Sequence, residues 1–300
     1  MKLLITGAWQ GAKKQFNNLE TLGYDIIFMQ NENGELPCRY EEVEGVICNN
    51  LFLYHSIEKF TSLKFIQLTS AGFDRVPMDY VRKHNIAIYN ARGVYSIPMA
   101  EFAICGVLQL YKQSRVFYEN QKNKVWQKNR DLLEMFGKTV CIVGCGNVGT
   151  ECAKRFKAFG CRVIGVDLFS EQNEYYETIK GLNEFDDVLE IADIIILTLP
   201  LTEITKNLIN QNRFDKMKKE SVIVNIARGR IIDEKALSKA LRTRLLGAVL
   251  DVFEEEPLDF QNEIWRAENV ILTPHNSFVG DGNEGRLWNV IKDNLLGIKK

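Results

Sequence analysis

Short, continuous apolar runs recur along the chain between polar turns. Residues 3–6, 25–29, 45–48, 65–68 and 86–89 are the first five. Runs that do not alternate polar with apolar predict strands buried on both faces, as in parallel sheets. Between them, residues 12–22, 56–60 and 78–83 mix polar and apolar positions at helical spacing, so residues 1–97 read as a small doubly wound α/β domain. One long helix is expected from Pro98 to Lys122. Pro98 suits its first turn, and Phe102, Cys105, Leu108 and Val116 recur on the helical period. After a polar stretch, QKNKVWQKNRD, a second series begins. Strands are expected at 139–143, 161–166, 193–199, 221–226, 246–250 and 270–273, with helices at 147–159, 183–191, 211–217 and 234–243 and a closing helix at 283–296.

Composition narrows the field. Three hundred residues with 46% apolar content suit two domains with full cores. A net charge of −1 without a basic block argues against nucleic acid or an anionic membrane as partner. No apolar run reaches membrane-spanning length, and MKLLITGAWQ turns polar by position six, so no signal peptide is expected. The seven cysteines include no CxxC pair and read as free thiols in a reducing cytoplasm; no metal-ligand set is expected.

Chemistry enters at residues 140–167, VCIVGCGNVGTECAKRFKAFGCRVIGVD. Gly144, Gly146 and Gly149 form G-x-G-x-x-G between a strand and a helix, and Asp167 closes the following strand. This is the dinucleotide-binding fingerprint. Gly144 is expected to permit the tight turn, Gly146 the approach of a pyrophosphate, and Gly149 close helix–strand packing. Asn147 and Val148 open the helix, whose free N–H groups face the phosphates. The Asp167 carboxylate suits ribose hydroxyls and repels a 2′-phosphate, which favours NAD over NADP. The opening ITGAWQGAKK lacks the spacing for a second such site.

Ligands in doubly wound folds collect at the carboxyl ends of strands. Pro200, Ala227, Arg228, Asp251 and His275 all fall there. Of three histidines, His55 and His84 read as surface residues, while His275, in TPHNSF, is positioned as a proton donor. Arg228 can hold a carboxylate in bidentate fashion, beside a glycine that would let a substrate come close. Asp251 stands within reach of a nicotinamide. One acid of the run Glu254, Glu255, Glu256 would stabilise the imidazolium form of His275. Phe52, Tyr54, Phe73, Tyr95 and Phe278 are either pocket aromatics or core.

TSAGFD, PMAEF, VGCGNVG, TLPLT, NIARGRIIDEKAL, GAVLDVFEEEP and LTPH occur in this order along nearly the whole chain. In these motifs the chain resembles the D-isomer-specific 2-hydroxyacid dehydrogenases. The resemblance implies two doubly wound parallel-sheet domains: a Rossmann NAD-binding domain, about 99–278, and a smaller flavodoxin-like substrate domain, 1–98 plus 279–300. It implies His275 as the proton-transfer residue, Glu256 as its paired acid and Arg228 as the carboxylate-binding group. It places Asp251 at the nicotinamide carboxamide and the backbone of Ser70, Ala71 and Gly72 at the substrate carboxylate. The expected reaction interconverts a 2-keto acid and an (R)-2-hydroxy acid with NAD(H) in a cytoplasmic homodimer, the ligands lying between the domains. The alternative is an NAD-sensing regulatory protein of the corepressor type. The chain departs from the pattern after LTPH, where Asn276, Ser277 and Phe278 replace a small or apolar pair before glycine; this bears on pocket shape, and so on the substrate.

Overall fold

The computed structural model describes residues 1–169 and 171–298. Ser170, Lys299 and Lys300 lie outside the described residues, so the expected substrate-domain tail is described only to Ile298. The chain divides into two compact units: Met1–Tyr95 with the segment from Gly280 onward, and Ser96–Val279.

The first unit holds a five-stranded parallel sheet. Its strands are β1 (Lys2–Thr6), β2 (Asp25–Met29), β3 (Gly45–Cys48), β4 (Phe65–Leu68) and β5 (Ala87–Tyr89), in the order β2-β1-β3-β4-β5. That is the flavodoxin-like order, with its switch point between β1 and β3. Burial covers both faces. Leu4, Val46, Ile66 and Leu68 pack with Leu51 and Phe60, while Leu3, Ile5 and Phe65 pack with Leu19 and with Leu287, Ile291 and Leu295 of the helix Asn283–Ile298.

The second unit holds seven parallel strands: β6 (Thr139–Val143), β7 (Arg162–Val166), β8 (Thr178–Lys180), β9 (Ile194–Leu197), β10 (Val222–Asn225), β11 (Gly247–Leu250) and β12 (Val270–Leu272). Their order, β12-β11-β10-β9-β6-β7-β8, is the doubly wound dinucleotide-binding arrangement, with the switch point between β6 and β9. One face packs on the helices Ser96–Tyr111 and Asn147–Ala158, the other on Phe185–Ile191, Gln211–Lys216 and Glu234–Thr243. Asp233 caps the last of these by accepting from Lys235 and Ala236 N–H, a cap worth about 1 kcal/mol.

Two expectations are corrected, and one element is new. The long helix breaks into Ser96–Tyr111 and Ser114–Lys122, with Gln113 left-handed at φ 49°. Lys112 Nζ reaches the Leu133 carbonyl (2.7 Å) and Gln113 Oε1 accepts from Asn129 Nδ2 (2.6 Å), so contacts with the following segment hold the break. The short edge strand β8 was not foreseen. His55 is buried rather than superficial: its ring nitrogens meet the Tyr40 hydroxyl (2.8 Å) and the Glu32 carbonyl (2.9 Å).

Candidate functional site

The glycine turn follows β6. Gly144 takes φ 97°, and a Cβ there would stand 2.7 Å from Leu199 N, so only glycine fits. A Cβ at Gly149 would overlap the Gly144 carbonyl, which draws the helix onto the turn. Gly146 is exposed, and no atom lies within 4 Å of where its Cβ would be. The turn thus presents bare main chain at the N-terminus of the twelve-residue helix Asn147–Ala158, where unsatisfied N–H groups and the helix dipole favour an anion. Asp167, just past β7, ties the turn down: Oδ2 accepts from Cys145 N (2.6 Å) and Oδ1 from Phe169 N (2.8 Å). A carboxylate has lone pairs beyond these two for ribose hydroxyls. Open turn, helix N-terminus and strand-end acid fit a dinucleotide. Cys145 beneath the turn is inert packing, because burial pushes its thiol up to about 12.

The loops after β9, β10, β11 and β12 carry the remaining candidates of this unit. His275 follows β12 with φ 52°. Its Nδ1 lies 2.8 Å from Glu256 Oε2, and both side chains are somewhat more than a third exposed. Glu256 Oε1 accepts from Phe253 N at 3.1 Å, so the carboxylate is oriented from its other side. Phe278 stands edge-on to the imidazole, ring centroids 6.1 Å apart. With Nδ1 facing the acid, Nε2 is the nitrogen left to serve a ligand.

Asp251 is fully buried. Its Oδ1 accepts from the Thr273 hydroxyl (2.6 Å) and Asn276 N (2.7 Å), its Oδ2 from Ser277 N (2.9 Å), and its carbonyl from His275 N (2.8 Å). The residue expected at a nicotinamide therefore clamps the loop that carries His275. Sequence reasoning missed Thr273 and Asn225 here. The one available signal was a polar residue closing an apolar strand just before a turn.

Arg228 follows β10 in extended conformation and donates Nη1 to the Ala227 carbonyl at 2.7 Å. The expected role of Gly229 is corrected: a Cβ there would overlap the Phe253 carbonyl and the Glu254 nitrogen. The close approach is made by main chain of the β11 loop, not by open space for a substrate. The Arg228 loop and the Glu256 loop are thus in backbone contact. Pro200 lies exposed after β9, and Ala227 is buried.

In the first unit, Ser70, Ala71 and Gly72 follow β4. Ser70 and Ala71 carbonyls accept from Ala91 N (2.9 Å) and Asn90 Nδ2 (2.6 Å), which fixes the loop's outline. Tyr95 donates to the Thr69 carbonyl. Of the aromatics, Phe52 packs edge-on to Phe60 and Tyr95 joins a core cluster, while Tyr54, Phe73 and Phe278 are exposed. His84, on its exposed helix end, stacks on Tyr80.

The sheet order and the glycine turn define a doubly wound NAD-binding protein. The chain belongs to the D-isomer-specific 2-hydroxyacid dehydrogenase family: residues 104–277 match the model of that family's NAD-binding domain. It is 34% identical to a glyoxylate reductase of Thermofilum pendens over 250 residues, covering 80% of this chain and 73% of that one. It is 37% identical to a D-3-phosphoglycerate dehydrogenase of Methanocaldococcus jannaschii over 224 residues, 73% of this chain but 42% of the other. Among solved structures, a glyoxylate reductase from Paecilomyes thermophila superposes with a TM-score of 0.84 at 26% identity, covering 98% and 94% of the two chains. The cofactor is NAD. No helix among the described residues is long and apolar enough to cross a membrane, and no group of three His, Cys, Asp or Glu is placed to hold a metal.

Proposed function

We propose that the protein is an NAD-dependent reductase of a small 2-keto acid to the (R)-2-hydroxy acid. The observation that carries this reading is the 2.8 Å pairing of His275 Nδ1 with Glu256 Oε2 at the carboxyl end of the sheet that bears the NAD turn. NADH, when bound, supplies the hydride that reduces the carbonyl carbon. Arg228 holds the substrate carboxylate and polarises the keto group. Negative charge develops on the carbonyl oxygen, and His275 Nε2 gives it a proton. The Glu256 carboxylate, 2.8 Å from Nδ1, orients the ring so that Nε2 faces the substrate. Gly146, Asn147, Val148 and Gly149 hold the pyrophosphate, Asp167 the ribose, and Pro200 and Ala227 the nicotinamide end, while the buried Asp251 serves that end through the loop it clamps, the one carrying His275.

The first unit is the substrate domain, with Ser70, Ala71 and Gly72 as its substrate-binding residues. The second is the NAD-binding domain. A homodimer in the cytoplasm accords with the family and with seven free thiols. The regulatory alternative gives the His275–Glu256 pair no task. Loss of NADH on addition of glyoxylate, pyruvate, hydroxypyruvate and longer 2-keto acids, with chiral analysis of the product, tests the reading. No turnover of any of them refutes it.

A further inference from the structure

Asn225 closes β10 and is 1% exposed. A buried amide at the end of an otherwise apolar strand is costly unless its hydrogen bonds are made. Both of its side-chain polar atoms serve one turn. Oδ1 accepts from Ala227 N (3.1 Å) and Nδ2 donates to the Arg228 carbonyl (3.0 Å). The amide therefore grips the main chain on both sides of the peptide that joins Ala227 to Arg228. Its own carbonyl accepts from Asp251 N at 3.0 Å, just past the end of the neighbouring strand β11. Beyond Arg228, Gly229 is walled by the main chain of Phe253 and Glu254. Arg228 thus leaves a turn held from two sides, and its guanidinium is braced by Nη1 on the Ala227 carbonyl.

We infer that Asn225 is a positioning residue that sets the direction of the Arg228 guanidinium, and through it the grip on the substrate carboxylate. This rests on the reading of Arg228 as the carboxylate-binding group. A purely structural amide would support the sheet and cost stability when removed, with no special dependence on Arg228. A positioning amide acts only through Arg228, so its effect vanishes when the fork geometry of Arg228 is already lost.

The test is a double-mutant cycle of Asn225→Ala against Arg228→Lys, in which the lysine variant keeps charge and residual activity. Keto-acid reduction is followed as kcat and KM in each background. Asn225→Ala is expected to lower kcat/KM for the keto acid roughly tenfold to a hundredfold, and to add little loss in the Arg228→Lys background. Asn225→Asp keeps the acceptor toward Ala227 N and lacks the donor toward the Arg228 carbonyl. It carries the same cycle if the alanine variant does not fold. Equal fold losses in both backgrounds overturn the assignment. Wild-type kinetics in Arg228→Lys alone would instead remove the underlying reading of Arg228, and this inference with it.

Discussion

Glu256 touches His275 and Phe253 with different oxygens: Oε2 lies 2.8 Å from the imidazole Nδ1, and Oε1 accepts the Phe253 amide at 3.1 Å. The carboxylate is thus oriented by its own loop before it meets the ring. Glu256→Gln nearly keeps the shape but puts an amide where the ring nitrogen met a carboxylate, so the imidazole loses its orientation and kcat/KM for keto-acid reduction should fall roughly tenfold to a hundredfold. His275→Ala should cost roughly a hundredfold or more at every pH, the ordinary worth of a general acid, with NADH binding intact. Wild-type kcat/KM in the glutamine variant would detach Glu256 from the proton step.

Arg228→Lys keeps a cation but loses the planar fork. Losing one charge-assisted hydrogen bond in the transition state costs about 2 kcal/mol, roughly thirtyfold in kcat/KM. Steady-state kinetics should show the loss in kcat as well as in kcat/KM. A change confined to KM would make Arg228 a ground-state binder only.

Asp167 does two jobs in the fold, pinning Cys145 N and Phe169 N. Asp167→Ala should therefore both weaken NADH use and loosen the glycine turn, while Asp167→Asn keeps an acceptor and isolates the charge. Both should narrow the preference for NADH over NADPH, measured as a ratio of kcat/KM values. Equal use of the two cofactors by the wild type would remove Asp167 as the discriminating group.

Burial raises the thiols of Cys145 and Cys152 to about 12 and that of Cys161 to about 11, and Cys141 is pushed up further still. The thiolate, which is the reactive form, is then scarce at pH 8. An aromatic disulfide reagent should label exposed Cys105 in the native protein and reach these four only on denaturation. Prompt labelling of Cys145 in the folded state would contradict the buried setting under the NAD turn.

The apolar strands were legible because burial on both faces leaves uninterrupted runs. β6 and the helix Glu234–Thr243 fall where the pattern puts them. Elements decided by contacts distant in sequence were not. Thr178–Lys180 is too short for a period and exists by pairing with β7. The break at Gln113 carries no glycine or proline; side-chain bonds to the 129–133 stretch make it. His55 looked polar and exposed because nothing local announces Tyr40 and Glu32. At the site, strand-end positions of Arg228, Asp251 and His275 could be read from the runs. The inward turn of the Asp251 carboxylate onto Thr273, Asn276 and Ser277 could not, since three hydrogen bonds from another loop determine it.

The overlap that any side chain at Gly229 would make with the main chain at Phe253 and Glu254 has an evolutionary consequence. A clash with a side chain can be relieved by trimming the neighbour; a clash with backbone cannot. A substitution at Gly229 therefore cannot be accommodated without moving the main chain of the glutamate-bearing loop. Change at Gly229 is thus the costly route for such a scaffold, whereas a change at the exposed ring of Phe278 beside His275 meets no main chain of that contact.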